Sequence, residues 1–345
     1  MVTLNAIASQ DNSLSIENGN ENNFSVQQAV DTDIVGSDSP DILFGTSEDD
    51  TISALAGDDT IIGTTGNDFI DGGDGLDTAD YTDFGEAVTI LPAGEFDNNA
   101  DSQLFSIERI IGATGQQNTI DGSSVTTSTF INVNLDNNSL IVEDVPVVGT
   151  INLEVENFVK VVGTNNADFI TGDDANNTLI GRAGDDEITG GGGNDVLVGN
   201  RGSDRLNGTD SLFRGANERD ILLGGAQGDR FILGDENGSF YIEGGNSDLA
   251  EIRDFSAGDV IELGRGETYS VDRLDSGFNL FAEQDDGREL IARVQFPSSN
   301  ASSISSRSTS QIAADNSSSF DSQIELPTDS FQLDSGESLD IFTGA

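Results

Sequence analysis

The sequence predicts an all-β solenoid: two blocks of short stacked strands, joined by irregular β-helix coils and closed by a β-rich C-terminal cap. Three observations carry that class. A nine-residue unit repeats in register, small residues crowd the first half of each unit, and its eighth place is nearly always apolar. The first block reads GSDSPDILF, GTSEDDTIS, ALAGDDTII, GTTGNDFID and GGDGLDTAD, starting at Gly36. The second starts at Gly163 with GTNNADFIT, GDDANNTLI, GRAGDDEIT, GGGGNDVLV and GNRGSDRLN. After an insert from Gly208 to Arg214, GANERDILL and GGAQGDRFI follow.

Each place in the unit has a physical task. Glycine serves the first half because the chain turns sharply there and needs positive φ, which glycine reaches without steric cost. The second half is a three-residue strand whose middle side chain is Leu43, Ile52, Ile61, Ile70, Ile170, Leu179, Ile188, Leu197, Leu206, Leu222 or Phe231. One inward side chain buries too little surface for a strand to stand alone, so successive strands must stack and share a thin core.

If strands alternate between opposite walls, residues eighteen apart lie one above the other. The sixth-place acids then form tiers: Asp41, Asp59 and Asp77; Asp50 and Asp68; Asp168, Asp186 and Asp204; Asn177 and Asp195. Asp220 and Asp229 hold the sixth place in the last two units, but the insert puts Asp220 out of phase with Asp204, so regular stacking there requires a bulge. Carboxylates one strand spacing apart repel by roughly 3 to 4 kcal/mol at an effective dielectric near 20. A bound cation must reverse that sign. Carboxylates with turn carbonyls make an all-oxygen donor set that suits a hard ion, and a flexible glycine-rich cage favours Ca²⁺ over the stricter Mg²⁺.

These units, most closely GGDGLDTAD, GRAGDDEIT and GGGGNDVLV, resemble the nonapeptide of the RTX (repeats-in-toxin) hemolysin-type calcium-binding proteins, of the kind found in cyanobacteria. The resemblance implies a parallel β-roll. It also implies cages built from carbonyls of the second and fourth places of one unit, the first and third places of the unit eighteen on, and both sixth-place carboxylates. Carried over, one cage joins Arg182, Gly184 and Asp186 to Gly199, Arg201 and Asp204. Another joins Leu55, Gly57 and Asp59 to Gly72, Asp74 and Asp77. Gly181, Gly190 and Gly192 fall at first and third places of the same scheme. Where the chain departs from the pattern, cages weaken: Asn177 removes a charge, Ser39, Glu48 and Ala175 replace the fourth-place glycine, and Ala54 replaces a first-place glycine.

Composition agrees. Asp and Glu number 63 against 14 Lys and Arg, the net charge is −49, and His and Cys are absent. Such a chain repels nucleic acid and anionic membrane surfaces. Without metal, self-repulsion and a hydrophobic content of 35% favour disorder; ion binding to the folded form alone adds about 2.7 kcal/mol per site at a hundredfold excess over Kd. No stretch is long and apolar enough for a membrane helix, and the opening MVTLNAIASQDNSLS lacks the pattern of a cleaved secretory signal. The resemblance implies instead type I secretion led by an uncleaved C-terminal signal, folding in extracellular calcium, and a structural, adhesive or surface-coating role. Beyond calcium, the expected partners are a cell-surface polysaccharide or the secretion apparatus.

The expected organisation is a flexible leader or N-terminal cap over 1–35, a first roll over 36–80, irregular solenoid coils over 81–162, a second roll over 163–233, a cap over 234–296 and a disordered Ser-rich tail over 297–345 that serves as the secretion signal. A separate antiparallel sandwich is the alternative for 81–162. In the cap, DLAEIRDFSAGDVIEL resembles the segment that commonly follows RTX repeats, so Asp248, Asp254 and Asp259 either form a terminal calcium site or serve as turn acids. The absence of His and Cys excludes zinc-protease motifs, Ser-His-Asp triads and cysteine nucleophiles. Only paired acids or Lys160 remain for catalysis, and no pairing pattern is visible. A noncatalytic secreted calcium-binding protein is therefore the leading reading, with a carbohydrate-active β-helix enzyme and an intracellular calcium buffer as alternatives.

Overall fold

The computed structural model describes residues 33–297 except 64, 92–94, 97–102, 126–127, 146–148, 213, 243, 245–246 and 286, together with the strand segments 7–8, 14–16, 24–26, 310–313 and 323–325. The fold is all-β: no α-helix occurs among the described residues. Two compact units divide the chain, Met1–Val161 and Val162–Ala345.

In the first unit, the three-residue strands stack as two parallel walls. One carries Asp33–Val35, Thr51–Ser53, Phe69–Asp71 and Gln103–Phe105, with Ile34 beside Ile52, Ile52 beside Ile70, and Leu104 beside Ile70. The facing wall carries Ile42–Phe44, Thr60–Ile62, Thr78–Asp80, Arg109–Ile111 and Gly149–Glu156, aligning Leu43, Ile61, Ala79, Ile110 and Val155. Those middle residues are all essentially buried while their neighbours are not. A register slip of one residue would turn every one of them outward, so the alternation itself locks the register. Burying each such aliphatic side chain contributes about 1.5 to 3 kcal/mol, which compensates for strands only one side chain deep.

The segment 81–162 contains both parallel and antiparallel pairing. Parallel coils continue through Arg109–Ile111, and Thr89–Leu91 pairs parallel with Asn118–Asp121. On the facing wall, beside Arg109–Ile111, the strands Phe130–Asn134, Ser139–Val145 and Gly149–Glu156 run as an antiparallel meander, with a register shift between Val142 and Val145.

The second unit repeats the plan. Thr178–Ala183, Val196–Arg201, Arg219–Ala226, Leu249–Ile252 and Gly287–Gln295 form one parallel wall. Phe169–Thr171, Glu187–Thr189, Arg205–Asn207, Arg230–Ile232 and Val260–Glu262 form the other. The insert does not break it: Leu197 pairs with Leu222 and Leu206 with Phe231, so the extra residues loop out at the edge while the wall keeps its register. Beyond the repeats the strands lengthen into an antiparallel sheet, Thr268–Leu274, Gly277–Gln284 and Gly287–Gln295. Phe231, Phe255, Phe278 and Phe296 meet in sequence at centroid distances of 6.0, 6.2 and 6.1 Å, plugging the apolar end that an open solenoid exposes.

Most of the leader and tail lies outside the described residues. Ile7–Ala8, Leu14–Ile16 and Phe24–Val26 pair as a small antiparallel sheet. Within the stretch expected to be a disordered tail, Ser310–Ala313 and Gln323–Glu325 instead pair antiparallel with Thr268–Leu274 and Val260–Glu262. Thr268–Leu274 and Val260–Glu262 each pair with only one other strand, so one edge of each is available to a further strand.

Candidate metal centre

Every sixth-place residue singled out by the repeat phase, from Asp41 to Asp229 and including Asn177, is buried. Stacking is enforced by one recurring hydrogen bond: the Oδ1 of each acid accepts the backbone N–H of the acid one tier before it. Asp59 does this for Asp41 at 2.7 Å, Asp68 for Asp50 at 3.0 Å and Asp77 for Asp59 at 2.8 Å. In the second unit Asp186 serves Asp168, Asp204 serves Asp186 and Asp195 serves Asn177, at 2.8, 2.9 and 2.8 Å. Across the insert the pattern persists at a separation of 25 residues, with Asp220 serving Asp195 and Asp229 serving Asp204.

Oδ1 of every acid with a tier before it is thus committed to the backbone. The other oxygen divides the tiers into two kinds. At the start of each block, Oδ2 is satisfied from within its own unit: Ser37 N–H donates to Asp41, Thr46 N–H to Asp50 and Thr164 N–H to Asp168, each at 2.6 Å. In the fourth of these opening units, the Asp173 N–H donates to Asn177 Oδ1. Deeper in the blocks, the Oδ2 atoms of Asp59, Asp77, Asp186, Asp195, Asp204 and Asp229 are buried and have no hydrogen-bond partner. A buried ionised oxygen without a partner is strongly unfavourable. Burial therefore pushes these acids up, aided by neighbouring charge: Asp195 and Asp229 to about 8, Asp186 to about 7 and Asp204 to about 6. Asp59 and Asp77 are raised for the same reason. Each such oxygen calls for a proton or a cation.

The turns follow the same division. Second and fourth places adopt positive φ in the deeper units: Leu55 and Gly57, Arg182 and Gly184, Gly191 and Gly193, Asn200 and Gly202. No residue of the opening turns at 37, 39, 46, 48, 164, 166, 173 or 175 does so. The replacements at Ser39, Glu48 and Ala175 thus mark a different, side-chain-closed turn rather than a distorted copy. In the deeper turns the backbone of successive tiers is laced together: Asp74 N–H donates to Leu55 O at 2.8 Å, and Gly57 N–H to Asp74 O at 2.9 Å. Gly184 N–H likewise meets Arg201 O, and Gly192 N–H meets Asp173 O, each at 3.0 Å. First-place glycines are demanded by the acids: a Cβ on Gly181, Gly190 or Gly199 would lie 2.1, 2.3 or 2.2 Å from Oδ2 of Asp186, Asp195 or Asp204, and one on Gly72 would lie 2.6 Å from Asp77 Oδ2.

The ladder also has rungs that the repeat phase missed. Glu108 Oε2 accepts the N–H of Asp77 at 2.9 Å, 31 residues away, and Asp259 Oδ1 accepts that of Asp229 at 3.0 Å, 30 residues away. No nine-residue signal marks them, because the coils have lengthened by then. Asp254 accepts the N–H groups of Gly224 and Gly225, and Asp248 Oδ2 accepts that of Gly244 while its Oδ1 is buried without a partner. Across the insert, Gly208 rather than Gly215 holds the first-place position, since a Cβ there would lie 2.6 Å from Asp220 Oδ2.

Among the described residues no three acidic side chains converge on one point. The arrangement fits a cage of backbone carbonyls completed by carboxylates, a donor set for a hard oxygen-seeking cation. Its fit rests on the unpartnered Oδ2 atoms beside the laced turns.

One comparison with known proteins agrees. The sequence profile of the RTX calcium-binding nonapeptide repeat (4 copies) matches residues 35–70, 44–79, 162–197, 171–206 and 189–212. No curated protein sequence matches the chain. Among solved structures, the crystal structure of extracellular lipase LipA from Serratia marcescens aligns at 15% identity and a TM-score of 0.20, over 82% of this chain and 42% of that one. This chain therefore spans less than half of that lipase, and so loose a likeness carries no argument about shape or activity.

Proposed function

From the premise that this chain carries RTX calcium-binding nonapeptide repeats, we propose that it is a secreted protein that folds upon binding several Ca²⁺ ions and acts without catalysis, in a structural, adhesive or cell-surface role. One observation carries the reading: six sixth-place acids keep a buried Oδ2 without a partner, in register along the solenoid edges. The ligand sets are those expected from the resemblance: Leu55, Gly57, Asp59, Gly72, Asp74 and Asp77 in the first block, and Arg182, Gly184, Asp186, Gly199, Arg201 and Asp204 in the second. Calcium neutralises the facing carboxylates when bound. The chain's own part is to hold Oδ1 of each acid on the backbone, so that Oδ2 faces the turn carbonyls without further reorganisation.

Charge supports an extracellular setting. A chain of net charge −49 gains little from folding until cations arrive, and modules with weak cages fill only near extracellular calcium levels of about 10⁻⁴ to 10⁻³ M. The proposed domains are the two rolls at 36–80 and 163–233, the coils between them and the cap at 234–296, with the segment 297–345 as the export signal.

The test is far-UV circular dichroism of the full chain in chelator and then in rising Ca²⁺ or Mg²⁺. Cooperative gain of β signal near millimolar Ca²⁺, and much less with Mg²⁺, is the expected result. A fully folded spectrum in excess chelator would remove calcium-driven folding. Export of a chain lacking 297–345 at the normal level would remove the tail assignment.

A further inference from the structure

Resting on the calcium reading above, one tier of the second unit departs from the repeat plan in a way that builds a different cage. In ordinary tiers the N–H of the fourth place donates to the carbonyl of the third place one coil on: Gly57 to Asp74, Gly184 to Arg201, and Gly202 to Ala226 at 3.2 Å. At the tier of Asp195 the fourth-place donor is Gly193, and its acceptor is the side-chain Oε1 of Glu218, at 3.2 Å. A carboxylate thus stands where a backbone carbonyl stands elsewhere. The cause is the insert, which carries the chain away after Gly208 and returns it with neither Ala216 nor Glu218 at positive φ.

The remaining oxygens at this tier point to a ligand. Glu218 is 6% exposed and Asp195 1% exposed, and neither Glu218 Oε2 nor Asp195 Oδ2 has a partner within hydrogen-bonding distance, with the buried Thr209 hydroxyl also beside the Glu218 carboxylate. Asp195 Oδ2 and the Gly208 carbonyl both lie 2.3 Å from where a Gly190 Cβ would sit, so Asp195 Oδ2 faces the backbone oxygen of the next coil. The third acid of the tier is differently placed. The Tyr241 hydroxyl, fully buried, donates to Asp220 Oδ2 at 2.6 Å. Tyr241 holds positive φ, and its ring lies against Gly215, where a Cβ would meet it at 2.4 Å. Asp220 is accordingly absent from the acids with a partnerless oxygen.

We propose that Asp195 and Glu218 form a calcium site of their own kind, in which the Glu218 carboxylate replaces the third-place carbonyl and the Tyr241 hydroxyl withdraws Asp220 from the ligand set. The cage keeps two carboxylates, as its neighbours do, but draws one of them from the turn instead of the ladder. Asp220 is left as a purely structural rung, holding the Asp195 N–H.

Calcium uptake by the full chain, measured by equilibrium dialysis with calcium as the probe, tests this with three conservative variants. Glu218→Gln retains an acceptor for Gly193 but loses the charge, and the tight-binding count is expected to fall by one. Asp220→Asn retains the rung and leaves the count unchanged. Asp186→Asn, in an ordinary cage, lowers it and reports on the calcium reading itself. A wild-type count in Glu218→Gln, or a lost ion in Asp220→Asn, overturns the proposal while Asp186→Asn still upholds the general reading. No uptake by the wild type sinks both. Terbium in place of calcium supplies a second measurement that does not depend on the stability of the Glu218 variant. The chain has 3 Tyr and no Trp, so Tyr241→Phe is expected to dim tyrosine-sensitised emission without lowering the ion count. Undiminished emission places no ion beside Tyr241 and overturns the proposal.

Discussion

Asp186 Oδ1 accepts the N–H of Asp168 at 2.8 Å while its Oδ2, equally buried, has no partner. The same side chain therefore holds one tier to the next and presents a bare charge to the edge, and the two roles are separable by substitution.

Asp186→Ala removes both. The Asp168 N–H is left buried without an acceptor, which costs about 1 to 3 kcal/mol of folding stability apart from the ion, and ion binding at that tier is lost. Asp186→Asn keeps the acceptor and loses the charge. Denaturant unfolding in calcium and calorimetric titration together should show the alanine variant impaired in both measurements and the asparagine variant chiefly in calcium affinity. Equal effects of the two in both would contradict the division of labour.

Opening tiers should behave in the opposite way. Thr164 donates through its N–H and its hydroxyl to Asp168, so Thr164→Ala should lower stability by about 1 kcal/mol and leave the calcium count unchanged. A lost ion in the titration would show that the closed turn is a cage after all.

Glycine at the first place is a steric requirement of the acid beside it. A Cβ on Gly181 would lie 2.1 Å from Asp186 Oδ2, so Gly181→Ala must push that carboxylate aside. At Gly184 the constraint is backbone: φ is 118°, and a Cβ would come within 2.3 Å of the Asn166 carbonyl carbon. Gly184→Ala should therefore cost at least about 1 to 3 kcal/mol with or without calcium, while Gly181→Ala should act mainly on calcium affinity. Thermal melts at limiting and at saturating calcium distinguish the two.

Acid should stabilise the calcium-free protein. Asp186 and Asp68 are raised to about 7 by burial, and Asp195 and Asp229 to about 8, against about 4 for an unfolded chain. The folded form then binds more protons than the unfolded form, so stability falls as pH rises from about 4 to about 8 and levels off above. Calcium affinity should rise over the same window, because the ligand form is deprotonated. A far-UV β signal in chelator that increases between about pH 4 and about pH 8 would be the wrong sign.

Much of this was legible in the sequence. The nine-residue period identified the inward residue of each strand, the eighteen-residue stacking of acids such as Asp41, Asp59 and Asp77, and the charge missing at Asn177, because strand alternation and coil length are local properties that a short unit encodes. The turn chemistry was half visible: Ser39, Glu48 and Ala175 were evident departures, but not the second kind of turn that they serve. Glu108 and Asp259 as terminal rungs, Gly208 in the first place, and the pairing of Glu218 with Gly193 and of Tyr241 with Asp220 were decided only in three dimensions. A ladder hydrogen bond requires only that an acceptor oxygen arrive at the right height. It is indifferent to whether 18, 25, 30 or 31 residues of chain intervene, and so no fixed spacing in the sequence announces it.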